Sequence, residues 1–247
     1  MKVGLAVLVA TWAMAVANPV RATSPDDSTT TTTTTATTTG SELSEAVIPP
    51  ITEGGAPGAW QGVQSHRRPL AYDVPGSWVV DPPGLIRGFE WADPTSASGF
   101  SQIAYSGAAD GPERGDDGCD ATPDSTAGFG SNGGETTSTD TAGVAVTTAG
   151  QWAERAYGVD AVPARVKVGA AQPFTANGLA GHLVTATASF ECAPGAAVVR
   201  VFTFSAPDLV GLYNVIYWGD TGVLSDATIT QMFESVRESA VPPDAAD

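Results

Sequence analysis

The stretch Leu183-Val184-Thr185-Ala186-Thr187-Ala188-Ser189-Phe190-Glu191-Cys192 alternates apolar and polar side chains without a break. In an extended chain its apolar residues fall on one face and its hydroxyl-bearing residues on the other, which is the pattern of a half-buried β-strand. Pro194-Gly195 supplies a turn, and the alternation resumes over Ala197–Phe204. The two stretches therefore predict an antiparallel hairpin, and Leu212–Trp218 predicts a third strand beside it.

Two amphipathic helices are predicted on either side of these strands in the chain. Ser225 is a suitable N-cap for a helix running to Ala240, and a second helix is predicted over 140–157. Each has one apolar stripe at helical spacing, formed by Ile229, Met232, Phe233, Val236 and Ala240 in the first and by Ala145, Ala149, Trp152, Ala153 and Ala156 in the second. Such stripes are typical of helices that pack on a sheet.

Shorter extended segments are predicted upstream. Tyr72–Val80 opens the folded part, Ile86–Trp91 and Phe100–Tyr105 follow as short strands, and Val162–Ala171 has the alternation of another strand. Residues 107–139, rich in Gly, Asp, Ser and Thr, are predicted to form a long loop. The expected fold class is α+β: a mostly antiparallel sheet covered by two helices.

The charge balance limits the classes of partner. The chain has 247 residues and a formal net charge of −16, from 27 acidic and 11 basic residues. Such an acidic protein repels phosphate backbones and anionic lipid headgroups, so we expect no nucleic-acid binding and no polybasic membrane binding. The hydrophobic content of 42% is ordinary for a globular protein.

The N-terminal quarter has the composition of an export signal and a spacer. Residues 1–17 are read as a secretory signal peptide, the alternative being an uncleaved membrane anchor over Val3–Val20. Residues 18–69 are rich in Thr, Pro and Gly, with Ser28–Thr39 nearly all threonine, and predict a disordered linker, either plain or carrying O-linked sugars. A globular domain over 70–240 and a disordered tail over 241–247 follow. The expected location is secreted or extracytoplasmic, with membrane attachment only through an uncleaved N-terminus.

Cys119 and Cys192 are the only cysteines. In an exported chain an even number predicts a disulfide, here worth about 4 kcal/mol in the chain-entropy model. A redox site would need a closer cysteine pair, and a zinc site would need more ligands than His66 and His182 add.

The order of these predicted elements resembles that of uncharacterised extracytoplasmic domains of actinobacteria that follow a Thr/Pro-rich tether. More distantly it is similar to LpqN-type lipoproteins and to the photosystem II extrinsic protein P (PsbP) family. The residues that carry the resemblance are Val74-Pro75-Gly76-Ser77-Trp78, Trp152-Ala153 with Tyr157, Val168-Gly169-Ala170 and 229–237. It implies an α/β/α arrangement over 70–240 and no particular activity. The lipid-attachment cysteine of the lipoproteins is missing, so the resemblance does not say how the protein is retained.

Candidate catalytic residues are few. The Gly-x-Ser-x-Gly turn of many serine hydrolases does not occur in the sequence, and neither His66 nor His182 lies in a catalytic pattern. Glu90 and Glu191 are the acidic residues in ordered, partly aromatic surroundings, and a carboxylate-based hydrolase using them is an alternative. The opposing interpretation places both on solvated outward faces.

Two loop segments and the tryptophans complete the candidates. The acidic stretch 113–124 has oxygen donors suited to calcium but not the spacing of a known calcium loop, and 128–134 is rich in glycine but has no lysine for phosphate. Trp78, Trp91, Trp152 and Trp218 are expected mostly in the core, although exposed aromatic rings beside a sheet could bind a peptide, glycan or lipid tail. Trp60 falls in the predicted linker.

These observations favour an exported, non-catalytic binding or accessory module. We expect a monomer without metal or cofactor, whose partner is a small molecule, a glycan or an envelope protein. The alternatives are the carboxylate hydrolase and a purely structural spacer protein of the cell wall.

Overall fold

The computed structural model describes residues 50–52, 59–65, 68–82, 85–111, 125–130, 138–157, 164–189, 196–207 and 210–239. The predicted signal peptide, the threonine tract and the C-terminal tail lie outside these residues. The described elements are, in chain order, β1 (Trp60–Gln64), β2 (Leu70–Pro75), β3 (Val79–Val80), β4 (Ile86–Ala92), β5 (Phe100–Asp110), β6 (Ser125–Gly130), α1 (Thr141–Tyr157), β7 (Arg165–Val168), β8 (Gln172–Ala176), β9 (Leu179–Ser189), β10 (Ala196–Phe204), β11 (Tyr213–Asp220), α2 (Asp226–Glu234) and β12 (Arg237–Glu238).

The expected fold class is wrong. Strands hold 53% of the described residues and helices only 18%, so the fold is β-rich and is not a PsbP-like sheet covered by helices. The main sheet has nine strands in the order β3-β5-β6-β11-β10-β9-β7, with β4 also paired to β5 and β8 also paired to β9. The described strand pairs are all antiparallel. Helix α1 packs on one face, but the other face is covered largely by a second sheet of three strands, β1-β2-β12.

Each face of the main sheet buries its own core because successive side chains of a strand point to opposite faces. On β10, Val199 and Val201 point toward α1, whereas Phe202 and Phe204 point toward β2 and α2. The alternation predicted for the hairpin is confirmed, with Val201 opposite Val184 on β9 and opposite Ile216 on β11. The apolar stripe of α1 is fully buried as predicted.

Helix α2 is shorter than predicted. Ser225 caps it as expected, its hydroxyl accepting a hydrogen bond from the Thr228 backbone N–H, but the helix ends at Glu234. Ser235 then leads into β12, which pairs with β2. The apolar stripe still serves the core, because Val236 is buried just beyond the end of the helix.

Strand β6 corrects the predicted long loop over 107–139. It lies in the interior of the main sheet, between β5 and β11, and its first five residues are buried. Its glycines leave room for neighbours on the α1 face, because a Cβ on Gly130 would collide with Ile216 and lie 3.5 Å from Trp152. Strand β5 also continues to Asp110, past the predicted end at Tyr105.

The folded part also begins earlier than residue 70, because β1 lies within the range predicted as linker. Trp60 on β1 packs against the core, and Asp73 on β2 ties down residues 51 and 52. The Asp73 Oδ2 atom accepts three hydrogen bonds of 2.8 Å, from the backbone N–H groups of Ile51 and Thr52 and from the Thr52 hydroxyl. Its Oδ1 atom accepts one, also at 2.8 Å, from Arg237 of β12. A fully buried carboxylate therefore joins the two ends of the fold.

Candidate functional site

The two edges of the main sheet are built alike. On each side two short strands in succession pair with one long strand, β3 and β4 with β5, and β7 and β8 with β9. An edge strand presents unpaired backbone N–H and C=O groups, which can pair with another chain unless the edge is protected.

The edge formed by β7 and β8 is protected. Arg165 and Lys167 are exposed on β7, and Pro173 is exposed on β8. Charged side chains and proline on an edge strand are common means of preventing further strand pairing. The turn from β8 to β9 is also tight, with Asn177 at φ 45° and Gly178 at φ 87°, both in the left-handed region.

The edge formed by β3 and β4, which we name the open edge (residues 79–80 and 86–92), lacks this protection. Val79 is 71% exposed and Ile86 38% exposed. None of the seven residues of β4 is buried, and no described strand pairs with the outer side of β4. Glu90 is its one exposed charge. The open edge is therefore the part of the described sheet best suited to receive another strand.

A partly buried ion-pair cluster holds the two halves of the open edge to the sheet. The guanidinium of Arg87 on β4 pairs with Asp81, just after β3, and with Asp110 on β5 at 2.5 Å. Asp110 also accepts a 2.7 Å hydrogen bond from the Thr126 hydroxyl on β6. The cluster thus fastens β3 and β4 to the two strands behind them.

The two partners of Arg87 are not equally satisfied. The Asp81 side chain is only 5% exposed, and its Oδ2 atom has no hydrogen-bond partner among the described residues. Burial raises the pKa of Asp81, opposed by the Arg87 guanidinium and assisted by the Asp110 carboxylate. Burial likewise raises the pKa of Tyr105, which lies opposite Arg87 on β5, to about 12.

Aromatic rings support the open edge from behind. Phe89 on β4 meets Trp152 of α1 edge-on at 5.8 Å between ring centroids, and Trp152 lies 5.0 Å from Trp218. Further along β4, the Arg155 guanidinium stacks over the Trp91 ring at 3.9 Å from its centroid. Helix α1 therefore contacts β4 through these two side-chain pairs, in addition to packing on β9 and β10.

This arrangement can bind but has no described catalytic set. It offers main-chain hydrogen-bonding groups, exposed aliphatic side chains and a half-buried indole on a rigid support. Among the described residues no three His, Cys, Asp or Glu side chains come close enough together to hold a metal ion.

The structure describes two of the candidate catalytic residues, Glu90 and His182. Glu90 is exposed on β4 opposite Gln102, and Glu191 lies outside the described residues. His182 Nδ1 is 2.7 Å from the Thr141 hydroxyl at the start of α1, and His66 is outside the description. The acidic stretch 113–124 also lies outside the described residues, and the described chain resumes at Ser125, where β6 begins.

Cys119 and Cys192 both lie outside the described residues, so their disulfide stays a prediction. Strands β6 and β10, which follow the two cysteines in the chain, begin at the same end of the sheet, because Ser125 pairs with Gly219 and Ala197 pairs with Asp220. Strands β6 and β10 are separated only by β11, a distance of about 10 Å at the usual strand spacing. Cys119 is six positions before Ser125, and Cys192 is four before Ala196, so the chain is long enough for the bond.

A family model described as a domain of unknown function, DUF8017, matches residues 52–240, and the chain belongs to this family. The matched range includes β1 and Thr52, one of the two residues fastened by Asp73. No curated protein matches the chain. Neither described helix has the length and apolar character needed to cross a membrane.

Proposed function

We propose that this protein is an exported, non-catalytic binding module that takes up an extended segment of a partner as an additional strand at the open edge. The observation that carries the proposal is the contrast between the two sheet edges. One is protected by Arg165, Lys167 and Pro173, whereas the other exposes Val79 and Ile86. Strand addition supplies main-chain hydrogen bonds, and alternate side chains of the added strand contact the sheet faces.

The extracytoplasmic location belongs to the same proposal. It is supported by the signal-like residues 1–17 and by the threonine-rich spacer. Native mass spectrometry of the protein from its own cells and medium would test it. We expect a chain lacking the first residues and two protons lighter than its reduced mass because of the Cys119–Cys192 bond. An uncleaved N-terminus would contradict the signal peptide, and two free thiols would contradict the disulfide.

The binding test uses a capped eight-residue peptide of alternating lysine, valine and threonine residues. We expect it to slow hydrogen exchange of β4 amides and to change the fluorescence of Trp91. A second peptide, methylated on alternate backbone nitrogens, removes half of the main-chain donors and should bind at least about tenfold more weakly. Equal binding of both peptides would mean that strand addition is wrong.

Protein variants locate the site. Ile86→Lys places a charge on the open edge and should weaken peptide binding by about tenfold, equivalent to about 1.4 kcal/mol. Val146→Lys is the matched control, because Val146 is 37% exposed on α1 against 38% for Ile86. A loss of binding in the control as large as in Ile86→Lys would place the peptide elsewhere.

The carboxylate hydrolase is tested independently. We expect the purified protein to turn over none of a broad panel of ester, peptide and glycoside substrates. Turnover that disappears in Glu90→Gln or Glu191→Gln would refute the non-catalytic proposal.

A further inference from the structure

Charge distinguishes the two edges of the main sheet as strongly as exposure does. The exposed charged side chains of the protected edge are both positive, Arg165 and Lys167. On the open edge the exposed charge is Glu90, and the one cation of β4, Arg87, is already shared between two carboxylates.

The surroundings of the open edge are also acidic. Asp93 follows β4 directly and accepts hydrogen bonds from the Ser101 and Thr95 hydroxyls, which lower its pKa to about 2. The Asp81 Oδ2 atom adds a buried acceptor without a described partner. On α1, Arg155 lies over Trp91, but the adjacent Glu154 is exposed. Carboxylates therefore outnumber cations along this edge.

We infer that the segment bound at the open edge is basic, with a lysine or arginine side chain placed beside Glu90. The inference rests on the proposed strand addition and names the chemical class of the partner. Directly opposed side chains of neighbouring antiparallel strands are about 4.5–5.5 Å apart, within reach of an ion pair. The net charge of −16 also attracts cationic segments at long range and speeds their association.

A second copy of the chain is the competing occupant, because its protected edge carries Arg165 and Lys167. Two copies would each bring a charge of −16, and their mutual repulsion opposes this arrangement. The two basic residues on that edge are also a means of preventing strand pairing. A basic segment of another protein therefore fits the open edge better than the protein's own opposite edge.

The test compares the lysine peptide described above with a peptide in which every lysine is replaced by glutamate. We expect the lysine peptide to bind at least about fivefold more tightly near 0.01 M salt. The difference should shrink toward 1 M salt, where the Debye length falls from about 30 Å to about 3 Å. Glu90→Lys should reverse the preference, whereas Glu234→Gln, an exposed change on α2, should leave it unaltered.

The possible outcomes distinguish failure of the charge inference from failure of strand addition. Equal binding of the lysine and glutamate peptides, together with weaker binding of the backbone-methylated peptide, would overturn the charge inference but support strand addition. Equal binding of methylated and unmethylated lysine peptides would overturn strand addition itself. Concentration-dependent self-association that disappears in Lys167→Glu would identify a second copy as the occupant and would also overturn the inference.

Discussion

Asp73 and Asp81 are both buried carboxylates paired with an arginine, yet their surroundings differ. Asp73 accepts four hydrogen bonds spread over both oxygens, whereas Asp81 uses one oxygen and leaves the other without a described partner. Burying a charge is favourable only when its hydrogen-bonding capacity is met. The comparison indicates that Asp73 fastens the fold, while Asp81 weakens it locally, next to the open edge.

Removal of the Asp73 carboxylate should have the largest effect. In Asp73→Ala, Arg237 and the donors of residues 51 and 52 lose their acceptor, so we expect the free energy of unfolding to fall by about 3–5 kcal/mol. Urea denaturation followed by circular dichroism measures it. A loss below about 1 kcal/mol would mean that Asp73 is no more important than Asp81. If this variant does not fold, Arg237→Met, which leaves three of the four hydrogen bonds, gives the same comparison.

Removal of the shared cation should come second. Arg87→Met leaves Asp81 and Asp110 facing each other without compensation, and we expect a loss of about 2–3 kcal/mol. The double variant with Asp81→Asn should recover part of that loss, because one of the two opposed charges is then gone. A double variant less stable than Arg87→Met would contradict this account of the cluster.

Asp81→Asn alone should change stability by less than about 1 kcal/mol at neutral pH, since Asp81 is already penalised by burial. The stronger test is the pH dependence. Because the folded-state pKa of Asp81 is raised, the folded protein binds a proton more readily than the unfolded chain, so Asp81 lowers stability as pH rises from its ordinary pKa through the raised value. The free energy of unfolding should fall as pH rises across this window in the parent protein, and the part of this fall that comes from Asp81 should be absent in Asp81→Asn.

Asp93 should show the opposite sign and the smallest effect. Its folded-state pKa is lowered to about 2, so it stabilises the fold above its ordinary pKa and loses that contribution as pH falls toward 2. In Asp93→Asn this acid-side decline should be reduced. Identical acid denaturation curves for the two proteins would contradict the assignment.

Local patterns predicted many of the individual elements, although the fold class inferred from them was wrong. Strands over 183–189, 197–204 and 213–218 lie where contiguous alternation predicted them, and residues 190–192 lie outside the described part of the chain. The apolar stripe of α1 is found as predicted, and that of α2 is found as far as Phe233. The hairpin of β8 and β9 was not predicted, although Asn177-Gly178 is a dipeptide typical of two-residue hairpin turns. Strand β6 was missed because Ser125–Gly130 is small, glycine-containing and not alternating.

The arrangement of these elements could not be read in the same way. Asp73 and Arg237 are 164 residues apart, and no local pattern links them. Strand β4 was predicted, but its position at an edge depends on pairings among distant strands, as does the second sheet that replaced the expected helical layer. The candidate site depends on the order of the strands in the sheet. Sequence periodicity therefore predicted β4 as a strand but not that it lies at an unprotected edge.

The fastening at Asp73 also has a mechanical consequence. The described chain begins at residues 50–52 and ends at Ser239. The first segment is hydrogen-bonded to Asp73 of β2. The Ser239 N–H donates a 2.8 Å hydrogen bond to the carbonyl of Pro69, the residue before β2. A pull applied through a spacer at either end is therefore borne first by this one strand. In a chain tethered as proposed, the open edge belongs to a different sheet from the strand that takes this load.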